Sequence, residues 1–259
     1  AYSVLRPEDA RAQAYVKNPR IFERLLRDSA SATIRSLPIN SPQADLAPGI
    51  MEELLLFASA RGEGVGGGRL YMWDDQPFLN LFTALWKGET AEEALVMRKE
   101  VNSRYHDGVG AFDSVANRLY FTRNNYYYGT LDKNSKGELN LAIFYSNVVT
   151  GEFGQPEWGN LVPFEYNDPE ANYGHPCVSP DGKKLFFASD RAGGQGGADI
   201  WYCENLGNQW GAPINMGPEV NTQGNEPFPF LHRDSTLYFV STGHPGLGGY
   251  DIFYSRLSK

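Results

Sequence analysis

The chain has 259 residues, 41% of them hydrophobic and 14% aromatic, enough apolar mass for one large domain or two small ones. A formal charge of −8 and the lack of any Lys/Arg run argue against a reader of phosphate backbones, so no nucleic-acid partner is expected. No stretch approaches the ~18 consecutive apolar residues of a spanning helix, so no direct membrane insertion is expected.

Reading from Ala1, which is not a Met and opens no signal-peptide pattern, the chain is expected to be a mature product or an excised fragment. Residues 1–30 read as a helical lead-in or linker from an upstream domain. Pro7 suits a first helical turn, Pro19 should break the helix, and Ile21, Phe22, Leu25 and Leu26 then form one apolar face. "SATIRSLPIN" (31–40) resembles the stretch "WGAPIN" (210–215) of a later unit, and no other strands precede it: it is an orphan outer strand.

Four repeat units follow, at about 41–102, 103–167, 168–221 and 222–259. Their second strands recur as Leu55-Leu56-Phe57, Leu119-Tyr120-Phe121, Leu185-Phe186-Phe187 and Leu237-Tyr238-Phe239. Their corners recur as "PINSPQAD", "EVNSRYHD", "EYNDPEAN" and "EVNTQGNE", placing asparagine at Asn40, Asn102, Asn167 and Asn221. The third unit supplies the template. Strand A is "GHPCVS" (174–179), a Ser179-Pro180-Asp181-Gly182 turn leads to strand B, "KLFFAS" (184–189), and a glycine loop leads to strand C, "DIWYCE" (199–204). Strand D is "NQWGAPINMG" (208–217). Laying "SARGEGVGGGRLYMW" (59–73) over this template puts unit one's strand C at Leu70-Tyr71 and an insertion at 74–95, between C and D. Unit two replaces the glycine loop by 123–139, and unit four stops after its strand C. Four-stranded units repeated along a chain predict an all-β fold, a β-propeller of antiparallel blades. Either residues 31–40 complete the last blade or further blades follow in a longer parent chain; the longer ring is favoured.

Little here reads as chemistry. "GGQGGA" opens a strand and lacks the Lys-Ser/Thr of a phosphate loop, so it is expected to be a hairpin bend using glycine for positive φ. The Asn corners could form a ring of calcium or sugar ligands, but recurrence in every unit favours a structural role, each Asn capping its own turn. His106, His175, His232 and His244 have no metal spacing, and no G-x-S-x-G elbow exists. No catalytic residue, metal or cofactor is expected. "EYNDPEANYG" (165–174) faintly resembles the Asn-Asp-Pro segment of five-bladed glycosidases, without an identifiable acid partner. Cys177 on A and Cys203 on C are a strand apart, too far for a disulfide, so two buried free thiols are expected. D–A and B–C loops emerge on one side of a propeller, which makes Arg61, Arg191, His244 and the Tyr126-Tyr127-Tyr128 run candidate partner-facing residues.

The unit "HPCVSPDGKKLFFASDRAGGQGGADIWY" with "WGAPINMGPEVNTQGNEPFPF" is similar to the PD40, WD40-like repeats of TolB-type propellers. The fuller match resembles Bacteroidetes envelope proteins that end in an OmpA-like domain, including a type IX secretion component. It covers roughly residues 31–259 and is weakest in unit two. The resemblance implies a non-catalytic scaffold binding other envelope or secretion-complex proteins. Its location would be the periplasm, outer-membrane associated through the parent protein, with peptidoglycan bound only through a parent-chain domain absent here. A glycan-binding or glycoside-hydrolase propeller, or a TolB-like adaptor outside type IX secretion, is the alternative.

Overall fold

The computed structural model describes residues 9–18, 20–26, 33–65, 68–152 and 156–257. Pro7, Pro19, the 27–32 stretch and the Gly66-Gly67 pair lie outside the described residues. The lead-in forms two short helices, α1 (Ala10–Lys17) and α2 (Ile21–Leu25). Asp9 caps α1, its side chain accepting from the Arg11 and Ala12 amides. Ile21 is buried, whereas Phe22 and Leu26 are exposed, and Phe22 stacks instead on Tyr15 of α1, ring centroids 5.1 Å apart.

Four antiparallel sheets follow in chain order, arranged as the blades of a β-propeller. The first contains β1 (Asp45–Met51), β2 (Leu54–Ser59), β3 (Asn80–Trp86) and β4 (Ala91–Val96). In the second, β5 (Asp107–Asp113) pairs with β6 (Arg118–Asn124); a small hairpin, β7 (Tyr126–Tyr127) with β8 (Thr130–Leu131), then precedes β9 (Leu141–Thr150) and β10 (Pro156–Pro163). The third is β11 (Tyr173–Val178), β12 (Lys184–Ser189), β13 (Asp199–Glu204) and β14 (Ile214–Asn215). The fourth has three strands among the described residues, β15 (Phe230–Leu231), β16 (Thr236–Ser241) and β17 (Asp251–Arg256).

The recurring B-strand triplets explain the stacking. Their middle residue faces the next sheet and the flanking two face the previous one. Leu56 packs with Leu119 and Phe121 between sheets one and two. Tyr120 meets Leu185 and Phe187 between two and three, and Phe186 meets Leu237 and Phe239 between three and four. Each large side chain so enclosed contributes about 1.5–3 kcal/mol, so the stack is held by apolar burial between blades. Strands buried on both faces need no polar alternation, and β2, β6 and β12 show none.

Unit one departs from the template alignment. Its strand C is Asn80–Trp86, with Asn80 opposite Ser59, and the insertion falls in the B–C loop (60–79) rather than between C and D. Met72 and Trp73 stand out in solvent, whereas in "NLFTALW" Leu81 fills the layer against the second sheet and Phe82 and Ala84 pack on the first sheet's other face, against Leu37 and Ile39.

The corner asparagines also differ from the expected turn caps. Asn102 Oδ1 accepts from the Leu81 amide at 2.7 Å and its Nδ2 donates to the Leu81 carbonyl at 3.1 Å. Asn167 clamps Ile143 in the same way at 3.0 and 2.7 Å, and Asn221 clamps Ile200 at 2.8 and 2.9 Å. Each side chain pairs the strand-C amide and shares its carbonyl with a backbone N–H from the end of strand D, that of Met97, Phe164 or Met216. Asn40 has no strand C to hold; it accepts from the Leu37 amide at 2.7 Å and remains exposed.

The glycine loop uses glycine less for φ than for space. Gly193 has a φ of +93°, but a Cβ on Gly196 would strike the backbone of Thr222 and Gln223 in the next corner. The Gly197 amide donates to the Gly224 carbonyl at 2.8 Å, and Glu226 N–H to the Ala198 carbonyl at 2.6 Å, so the loop is stitched to the following blade.

Cys177 and Cys203 are free and buried, with burial pushing the thiols up to about 11 and about 12. Both should resist maleimide at neutral pH and label together on unfolding; native-state labelling at either position would contradict the blade assignment. Asn221→Ala leaves the buried Ile200 amide unpaired, while the Ile200 carbonyl still accepts from the Met216 amide, so urea unfolding should show a loss of about 1–3 kcal/mol. An unchanged midpoint would mean the clamp is dispensable.

Candidate functional site: the B–C loop side of the ring

Arg61 leaves the end of β2 and turns inward. Its Nη2 donates to Asp45 Oδ1 at 2.9 Å and to the Ile39 carbonyl at 3.0 Å, its Nε donates to Ser59 Oγ at 2.9 Å, and the guanidinium lies over Phe57 and Phe82. His244 does the same in blade four. Its Nε2 is 2.9 Å from the carbonyl of Val220, the residue before Asn221, as Ile39 is the residue before Asn40. Arg191 lies over the Trp201 ring at 5.0 Å. These three side chains pin B–C loops in place instead of projecting to a partner. Asp45 is held below the ordinary carboxylate range, where hydrogen bonds from Ser41, Ser59 and Arg61 outweigh its burial.

Arg123 was not singled out by the sequence, yet it is the most enclosed of these cations. It pairs with Asp107, both side chains buried, and lies over Phe121 and Phe144. Burial nevertheless raises the Asp107 carboxyl above its ordinary range. Arg123 Nη2 has no hydrogen-bond partner, and neither has the buried Glu100 Oε2. Both residues line a depression of about 390 Å³ with Lys99, Arg104, Tyr126 and Tyr128.

The three tyrosines have separate roles. Tyr126 packs on Tyr105 and under Arg104, and Tyr127 stacks on Phe144 and donates to the Leu161 carbonyl at 3.3 Å. Tyr128 is 71% exposed with a φ of +44°. On the same side of the ring, the insertion of unit one exposes 88% of Trp73. Of the aromatics lining the depression Tyr128 is exposed and Tyr126 half-buried, and Glu100 sets a carboxylate among the cations Lys99, Arg104 and Arg123.

A second depression, about 350 Å³, lies beside strand A of blades three and four, lined by His175, Phe228, Tyr250, Asp190 and Asn225 among others. His175 stacks on Phe228 with centroids 4.0 Å apart, and its enclosed Nδ1 has no partner. Both residues hold left-handed backbone, φ +56° and +57°, as does Ala47 at +51°, and each precedes a proline. Three non-glycine residues at such a φ, costing about 1–3 kcal/mol apiece, mark the strand-A bulge as strained. The sequence carried a signal for this in the X-Pro pairs at 47–48, 175–176 and 228–229.

The other singled-out groups serve the fold. His106 Nδ1 accepts from the Leu79 amide at 3.2 Å, and His232 pairs with Asp234 at 2.9 Å on the surface. In the Asn-Asp-Pro segment Asn167 is a clamp, and Asp168 accepts from the Glu170 amide at 2.9 Å to make a local turn. No group of three or more His, Cys, Asp or Glu positioned for a metal occurs among the described residues.

No protein-family model matches the chain, and no curated protein matches it. Among solved structures it is similar to TolB from Acinetobacter baumannii, with 15% identity and a TM-score of 0.45 over 84% of this chain and 42% of that one. It is similar to a TolB-type chain from Agrobacterium tumefaciens at 15% identity and TM-score 0.40, over 78% and 71% of the two chains. An α-L-arabinofuranosidase from Clostridium thermocellum gives 14% identity and TM-score 0.41, over 84% and 70%. The chain thus spans less than half the length of the Acinetobacter protein. These are likenesses of chain path; the propeller assignment rests on the four sheets themselves.

Burial lowers the His175 pKa from 6.5 to about 4, so the folded state binds fewer protons than the unfolded chain between those values. Stability should therefore fall as pH drops from 6.5 toward 4, by up to about 3 kcal/mol. Denaturant titrations at pH 7 and pH 4.5 test this, with His175→Phe expected to flatten the dependence. Equal slopes in wild type and variant would remove His175 as its source.

Proposed function

We propose that this chain is a non-catalytic protein-interaction scaffold of the bacterial cell envelope, acting as one module of a type IX secretion trans-envelope complex. The reading rests on the resemblance of its repeats to envelope propellers and on one observation, the pocket at the junction of blades one and two. There a buried guanidinium holds an N–H without a partner beside Lys99, Arg104 and the exposed Tyr128. An acidic segment of a partner protein would satisfy that donor and cover the aromatic rim. Because the pocket is fixed by packed blades, little ordering cost attends binding, which favours affinity from a small contact. The location that goes with this reading is the periplasm, with outer-membrane association through the parent protein.

A second reading, a glycan-binding propeller, is favoured by one observation: His175 Nδ1 is unpaired in a pocket that also offers Phe228, Tyr250 and Asp190. A sugar could stack on the rings and donate a hydroxyl to the imidazole.

A pull-down from envelope extract with the wild-type chain, read by mass spectrometry, separates the two. Retention of outer-membrane secretion components is expected, weakened roughly tenfold or more by Tyr128→Ala combined with Arg104→Glu. Retention of muropeptide or glycan fractions with no protein would replace the scaffold reading by the second one.

A further inference from the structure

In the depression at the junction of blades one and two, most enclosed polar side chains are engaged by the fold. Asn102 holds Leu81 and donates to the Met97 carbonyl at 2.9 Å, and Ser103 Oγ accepts from the Tyr105 amide at 3.1 Å. Two enclosed atoms are left over. Arg123 turns its Nε to Asp107 and leaves Nη2, on a side chain only 4% exposed, without an acceptor. Glu100 leaves Oε2 without a donor. The two are not bonded to each other, although both residues line the same space of about 390 Å³. An enclosed donor and an enclosed acceptor are each costly to leave open, so a ligand that fills both gains twice.

Charge narrows the choice of ligand. Arg123 is already matched by Asp107, so what it has to offer is an N–H and not a free charge. Lys99 and Arg104 are exposed cations set against the carboxylate of Glu100, which leaves a positive surplus. The complement is a single negative charge on the cationic side and an N–H donor on the Glu100 side. A group with oxygens on both sides is repelled by Glu100, and a neutral peptide unit or a zwitterionic amino acid leaves the surplus unmatched. The free C-terminus of a protein carries both required groups on one residue, its carboxylate and its amide N–H separated by the α-carbon alone. It also enters without the chain having to leave again on the far side. An Asp or Glu side chain sets its carboxylate farther from its own N–H and brings the chain through in both directions. Val65, Leu161 and Tyr128 line the same space and offer apolar surface to the side chain of a terminal residue.

Resting on the scaffold reading of this same pocket, we infer that it captures the free C-terminus of a partner protein. The terminal carboxylate accepts from Arg123 Nη2 beside Lys99 and Arg104, and the amide N–H of the last residue donates to Glu100 Oε2. The last side chain, an apolar one, lies against Val65, Leu161 and Tyr128. Capture of a chain end suits a rigid site, because few partner residues have to be ordered.

N-acetyl-leucine carries the carboxylate, the N–H and an apolar side chain, and serves as the probe, titrated into the full chain and followed by amide NMR shifts. Saturation in the millimolar range is expected, with shifts at Ser103, Gly129 and Gly159 around the depression. N-acetyl-leucinamide, which lacks the carboxylate, and the N-methyl analogue, which lacks the N–H, should each bind roughly tenfold or more weakly. Glu100→Met should abolish the penalty for N-methylation and keep the need for the carboxylate, a pattern that loss of packing alone would not give. Arg123→Lys keeps a cation against Asp107 and should weaken N-acetyl-leucine by about tenfold. If that buried change unfolds the chain, the Glu100→Met comparison carries the test. N-acetyl-aspartate α-methylamide, with its carboxylate on a side chain, separates the chain-end inference from the scaffold reading. Binding as tight as that of N-acetyl-leucine would overturn chain-end capture and keep an internal acidic segment as the ligand. Shifts with none of these probes would overturn both.

Discussion

The structure depends on one substitution of groups, an asparagine side-chain oxygen in the place of a backbone acceptor. A strand D that continued straight would pair with all of strand C but could not turn back to begin the next blade. The chain leaves early, its last amide still donating to the strand-C carbonyl, and an asparagine side chain pairs the strand-C amide that would otherwise be left open. Three blades solve the problem identically at Leu81, Ile143 and Ile200. The corner is thereby freed to make the next blade's inner strand, and the glycine loop can close against it. The close approach of Gly196 to Thr222 and Gln223 exists because the corner is held.

That constraint sets where functional groups can sit. The B–C loops share a side with the corners, and most of their polar residues are spent on holding them. Arg61 and His244 reach the carbonyl before a corner asparagine, and Arg123 neutralises the buried Asp107. What is left over stands out against this background. Arg123 Nη2, Glu100 Oε2 and His175 Nδ1 are enclosed polar atoms without partners on residues that line depressions, the first two in one and the third in the other. In a fold that pairs its buried polar groups so systematically, an unpaired one is the natural place to look for a ligand.

Much of this was legible in the residues alone. The B-strand triplets and the Asn positions recur, and recurrence in one order dictates a stack of like sheets, because no single four-stranded sheet can bury two apolar faces. The free thiols followed from strand spacing. The rest required tertiary contacts. That Asn102 and Asn221 hold amides 21 residues upstream is not encoded in their own turns, which read equally well as local caps. The strand at Asn80–Trp86 was hidden because a glycine-rich stretch aligns readily with another, whereas burial decides which apolar run is a strand. Arg61 and His244 looked free because a loop cation is free until something lies beneath it. Sequence determined the repeating unit; packing between units decided which of its polar atoms are structural and which are left to bind.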